Sequence, residues 1–183
     1  MRAVLAALLV VAAAVWSAPA VQAARTQQEL ASAALTATDL GPGFTAMDVS
    51  PQASSQSLGE IGHTGLFMRM PSLGNPSLEV VATVLIDVSS AGLISAQDVA
   101  ADLDALRGAG ISIDPAPAPA IGQDTVMLKL KGVMAGQPIS GDIIGWQQGD
   151  VIAAVAVLGT GSPTALPYAT RQQAKLAATF GIE

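Results

Sequence analysis

Leu78-Glu79-Val80-Val81-Ala82-Thr83-Val84-Leu85-Ile86-Asp87-Val88 is the stretch whose reading decides the fold. A strand sends alternate side chains to opposite faces. Leu78, Val80, Ala82, Val84, Ile86 and Val88 then form one wholly apolar face. Glu79, Val81, Thr83, Leu85 and Asp87 form the other, polar at its ends and apolar in the middle. Such a strand lies well inside a sheet. Val151–Leu158 is a second run of this kind, apolar on both faces, and its neighbours must cover it twice.

Further strands are expected around these two. Phe44–Val49 and Glu60–Met70 precede the first, with Gly62 and Gly65 weakening the second of them. Pro71–Pro76 is rich in turn residues and suggests a hairpin with an extended loop. Thr125–Lys131 alternates Val126, Leu128 and Leu130 with Lys129 and Lys131, so it has one wet face. Ile139–Gln147 follows, and Gln148-Gly149 at tight-turn spacing predicts a hairpin into Val151–Leu158. Ile111–Ile113 is extended, but Pro115, Pro117 and Pro119 exclude a central strand and favour polyproline II, an edge or linker segment.

Three helices frame these strands. Thr26-Gln27-Gln28-Glu29 is a capping box and predicts a short helix to about Leu35, with a further turn over Thr36–Leu40. Gly41-Pro42-Gly43 then breaks the chain. Ser95–Asp98 is a second capping signature, followed by Val99, Leu103 and Leu106 at helical spacing and by Gly108 and Gly110 as stops. Ser162 and Pro163 read as N-cap and N1 of a last helix. Its apolar stripe is Leu166, Ala169, Gln173, Leu176 and Phe180, with Arg171 and Lys175 toward water. Runs of strands joined by hairpins mean an antiparallel sheet. The expected class is α+β: about five to seven antiparallel strands, two main helices packed on them, and the helices on one face.

The amino terminus reads differently. Arg2, the apolar run Ala3–Trp16 and the small-x-small sequence Val21-Gln22-Ala23 form a secretory signal peptide, residues 1–23, cleaved after Ala23. The run of about 14 residues is short for a spanning helix, which takes roughly 20. Left uncleaved, it would instead anchor the domain to a membrane. Residues 24–43 then hold the first helix and turn, and 44–183 a single α+β domain. The expected location is secreted or extracytoplasmic, with no membrane span after cleavage.

Composition excludes several functions. There is no cysteine, so neither a disulfide nor a lipidated amino terminus is open to the chain. Without Arg2, seven cations face fourteen anions, a net charge of −7. No basic cluster exceeds Lys129-Leu130-Lys131, which argues against nucleic acid and anionic headgroups as partners.

Catalytic equipment is sparse. His63 is the only histidine, and any Ser-His-Asp arrangement must use it. No G-x-S-x-G occurs, and no glycine loop precedes a helix as a phosphate cradle requires. A Cu(I) site could draw on Met68, Met70 and His63, but His63 has the opposite strand parity and points away. Asp98, Asp102 and Asp104 lie on one helix without a dedicated calcium loop. Fourteen acids offer many carboxylate pairs, while the few aromatic residues weaken a glycosidase reading. No catalytic, cofactor-binding or metal-ligating residue is assigned.

Four short motifs carry a resemblance. They are Asp39-Leu40-Gly41-Pro42-Gly43-Phe44, Ile121-Gly122-Gln123-Asp124-Thr125, Trp146-Gln147-Gln148-Gly149-Asp150-Val151 and Gln173-Ala174-Lys175-Leu176. In this layout, roughly residues 30 to 183, the chain resembles a group of uncharacterised exported bacterial proteins. The order of elements is similar to the PsbP/Mog1-like fold of some mycobacterial exported lipoproteins. The resemblance implies a fold and transfers no functional residue, and the missing lipidation cysteine departs from those lipoproteins.

The expected function is a non-enzymatic binding or sensing module of the cell exterior. A second apolar sheet face would need an apolar small molecule, an envelope protein or another layer, unless the N-terminal helix covers it. The alternatives are an envelope-assembly or structural interaction protein and a hydrolase using His63.

Overall fold

The computed structural model describes residues 25–47, 62–72, 77–88, 104, 106–134 and 136–182. The elements run α1 (Gln27–Ala33), α2 (Ala37–Leu40), β1 (Phe44–Ala46), β2 (Gly62–Arg69), β3 (Glu79–Asp87), β4 (Ser112–Ala116), β5 (Gln123–Met134), β6 (Gln137–Gln148), β7 (Val151–Gly159) and α3 (Leu166–Phe180). The strands form one sheet in the order β1-β2-β3-β7-β6-β5-β4, antiparallel at every pairing. The chain is therefore of the α+β class, at the upper end of the expected strand count.

β3 and β7, the two strands apolar on both faces, are neighbours near the middle of this sheet. Each face carries its own core. Ala82, Val84 and Ile86 of β3 join Ile143, Ile152, Ala154 and Ala156 on one face. Val81 and Leu85 join Ile144, Trp146, Val155 and Val157 on the other. Fully burying an aliphatic side chain contributes about 1.5–3 kcal/mol. Two such layers hold a chain that has no cross-link.

The helices depart from expectation. α1, α2 and α3 share one face, through Leu30, Ala33, Leu40, Ala169 and Leu176. Leu106, in the helical residues that end at Gly108, packs with Ile111 on the opposite face. Helical residues thus meet both faces, and the N-terminal helix lies beside the C-terminal one instead of covering the second face. The capping signature at Ser95–Asp98 lies outside the described residues.

Boundaries also shift. β1 ends at Ala46, and residues 48–49 of the expected strand lie outside the description. The tight turn is Gly149-Asp150, because Gln148 still pairs with Val151. Pro115 does enter a strand, but β4 is the sheet edge, where a missing N–H costs no ladder bond. Ser162 is not an N-cap. It has φ 59°, and α3 starts at Leu166 after Ala165, with a proline in its first turn. The Ser162 hydroxyl instead accepts from Ser140 at 3.2 Å, as the chain crosses the end of the sheet before it turns helical.

Candidate functional site

The site begins with the break at Gly41-Pro42-Gly43. Thr36 and Asp39 form a second capping box at α2, and Gly41 follows with φ 108°, a conformation open to glycine. The chain then enters β1, which pairs with the end of β2 through Phe44 opposite Arg69 and Thr45 opposite Met68. A groove of about 780 Å³ opens at this edge, largely apolar and lined by Thr45, Met47, Met68, Arg69 and Met70 among others. Its volume falls in the ~300–1,000 Å³ range of small-molecule sites. Met70 is 62 % exposed, a large apolar side chain left facing solvent.

Arg69 is fixed from several sides. Its guanidinium lies 4.7 Å from the centre of the Phe44 ring and donates to Glu79 Oε2. Glu79 is 5 % exposed, and its second oxygen accepts from the Tyr168 hydroxyl of α3 at 2.8 Å. The Tyr168 ring meets Phe44 edge to face at 5.9 Å. Burial, then the bond to Glu79, pushes the Tyr168 phenol up to about 12. On the next turn of α3, Arg171 donates to the carbonyls of Asp39 and Leu40. Lys175 bonds the Asp39 carboxylate at 2.7 Å, which holds it at about 2. Arg171 is exposed, as expected, and Lys175 is half-buried; both also fasten α2, and with it the groove's entry turn, to α3.

His63 stands apart from this arrangement. The register of β2 against β3 runs unbroken from Gly62–Ile86 to Arg69–Glu79, so His63 and Met68 project to opposite faces. No copper site of His63, Met68 and Met70 is assembled. His63 lines a separate depression of about 340 Å³, and its imidazole has no hydrogen-bond partner among the described residues. Burial lowers its pKa, and among the described residues no carboxylate orients the imidazole. Among the described residues no three His, Cys, Asp or Glu side chains converge as metal ligands. Asp98 and Asp102 lie outside the description, and Asp104 is exposed and pairs with Arg107.

Sequence reasoning passed over Met47, Arg69, Glu79 and Tyr168. One signal was present: Glu79 sits at the end of an otherwise apolar strand, and a carboxylate there needs a cation or donor when buried. Which cation could not be read, because Arg69 is brought opposite Glu79 only by strand pairing. In sequence comparisons the chain matches no protein-family model and no curated protein.

Proposed function

We propose that this chain is an extracytoplasmic, non-enzymatic binding module. It takes a small, largely apolar ligand in the groove beside β1 and leaves the cell by way of a signal peptide cleaved after Ala23. The single observation behind this reading is the groove itself: thioethers and methylenes form its wall, and Arg69 at its rim is already charge-balanced by Glu79. Such a wall favours an apolar body and offers an anionic group little net attraction. The rim is pre-organised through Phe44, Tyr168 and Arg171, and a pre-organised site loses less entropy on binding. The PsbP/Mog1-like type is the fold we assign to it, as the order of its elements suggests.

Native mass spectrometry of protein purified from its own host tests the proposal. A co-purifying small molecule is expected, and Thr45→Trp, which fills the groove from an exposed strand position, is expected to abolish it. Retention of the same adduct by the folded Thr45→Trp variant would sink the proposal, as would the absence of any adduct across extraction conditions.

A further inference from the structure

Three of the six methionines of this chain, Met47, Met68 and Met70, line the groove beside β1. Strand pairing puts them there. Thr45 pairs with Met68, and Met47 N donates to Leu66 O at 2.8 Å, so the ladder runs on past the end of β1. Paired positions face the same way, which sets Thr45, Met47 and Met68 on the face that holds Leu66. Access to the three thioethers is graded. Met70 is 62 % exposed, whereas Met47 and Met68 are half-buried, and Met47 packs against the core layer of Leu66. The chain has no cysteine, so these thioethers are the oxidisable sulfur of the groove.

A thioether is an apolar, adaptable wall group. A sulfoxide in its place is polar, and its oxygen accepts hydrogen bonds. An apolar ligand lying against it strips that oxygen of water, and burying a polar group without a hydrogen bond is costly. Oxidation at the groove therefore acts on apolar binding directly, without any change of fold.

We propose that Met70, with Met68 beside it, is a reversible oxidation site that switches the apolar binding of the groove off. This rests on the reading of the groove as a ligand site. The oxidant is a peroxide. A sulfur lone pair attacks one peroxide oxygen, the O–O bond breaks and the S–O bond forms. Sulfur is oxidised by two electrons. The departing oxygen takes the proton of the attacked one, so that hydrogen peroxide leaves as water. A dithiol-dependent methionine sulfoxide reductase reverses the step: the thioether and water return, and the dithiol becomes a disulfide.

Peptide mass mapping after graded hydrogen peroxide treatment reads the site. Fluorescence of bound N-phenyl-1-naphthylamine, a neutral apolar probe, reads the groove. Met70 is expected to be converted ahead of the half-buried Met47, Met68 and Met127, and at least as fast as Met134, which is 40 % exposed at the end of β5. The oxidised, still folded protein is expected to bind the probe about tenfold more weakly, and reductase treatment to restore binding. Met70→Gln, polar without oxidation, should weaken binding in the same way. The double variant Met68→Leu with Met70→Leu should bind like the parent and keep its affinity through peroxide. Unchanged affinity in protein whose Met70 is fully oxidised, for a probe that Thr45→Trp excludes, overturns the oxidation site and leaves the groove reading standing. An equal loss in the leucine variant does the same. A parent that binds no probe, or binds it no better than Thr45→Trp does, overturns the groove reading and this inference with it.

Discussion

Glu79 accepts from Arg69 on one oxygen and Tyr168 on the other, which is why a carboxylate can sit 5 % exposed at the end of β3. Removing one partner of such a buried group leaves an uncompensated charge or acceptor, costing about 1–3 kcal/mol or more. Tyr168 is the only tyrosine in the chain, so absorbance at 295 nm reports it alone. Its phenol is held protonated by burial and by Glu79, to about 12 instead of the usual 10. The folded state therefore favours the neutral phenol. That contribution is complete below pH 10 and is lost between about 10 and 12. Titration of the folded protein is expected to show little tyrosinate at pH 11. A midpoint near 10 would mean that neither the burial of Tyr168 nor its bond to Glu79 holds in solution.

At the scale of elements, α1 is finished by a residue that α3 supplies. Gln172, fully buried, accepts from Leu35 N at 3.1 Å and donates to Ala33 O at 2.7 Å. Helix ends leave carbonyls without intrahelical partners, and a side chain from another element satisfies this one. The expected stripe placed Gln173 toward the sheet, but Gln172 is the buried member and Gln173 is half-buried. Hydrophobicity cannot tell two adjacent glutamines apart; only the position of the α1 end does. Gln172→Met keeps the volume and strands both backbone groups. A loss of about 2–4 kcal/mol is expected in urea unfolding, whereas Gln173→Met should change little. Acid titration probes the other fastening. Asp39 is depressed by Lys175, so its contribution is present above the ordinary carboxylate value of 3.8 and disappears as pH falls through about 2. Asp39→Asn should lower the melting midpoint at pH 6 and converge with the parent below pH 2.

At the scale of the whole molecule, the inner strands of the sheet are buried on both faces, and their centre tolerates no extra atom. Gly141 of β6 pairs with Leu158 of β7. A Cβ built there would meet Val157 O at 1.8 Å. Gly141→Ala is expected to cost more than about 4 kcal/mol or to prevent folding. Gly108→Ala, with nothing within 4 Å of the added carbon, should be neutral or stabilising by up to about 1 kcal/mol. Soluble yield and denaturant midpoints of the two variants check both. The groove sits at the opposite extreme, on the β1 edge, where a three-residue strand leaves Met70 in solvent and room for a ligand.

Much of this architecture was legible in the chain. Alternation in Leu78–Val88 and Val151–Leu158 marked the two inner strands, because a strand buried on both faces has no room for polar side chains except at its ends. The capping box at Thr26, the turn before Val151 and the edge character of the proline segment are local devices, set by hydrogen bonds or by ring geometry within a few residues. The groove, the Arg69–Glu79–Tyr168 linkage and the bonds of Arg25 to Asp87 and Asp150 were not legible. Each joins residues from 10 to 125 positions apart, and only strand order and helix placement bring them within bonding distance. The same holds for which face each helix takes. An amphipathic stripe records that a helix must be covered, while the tertiary structure alone decides by what.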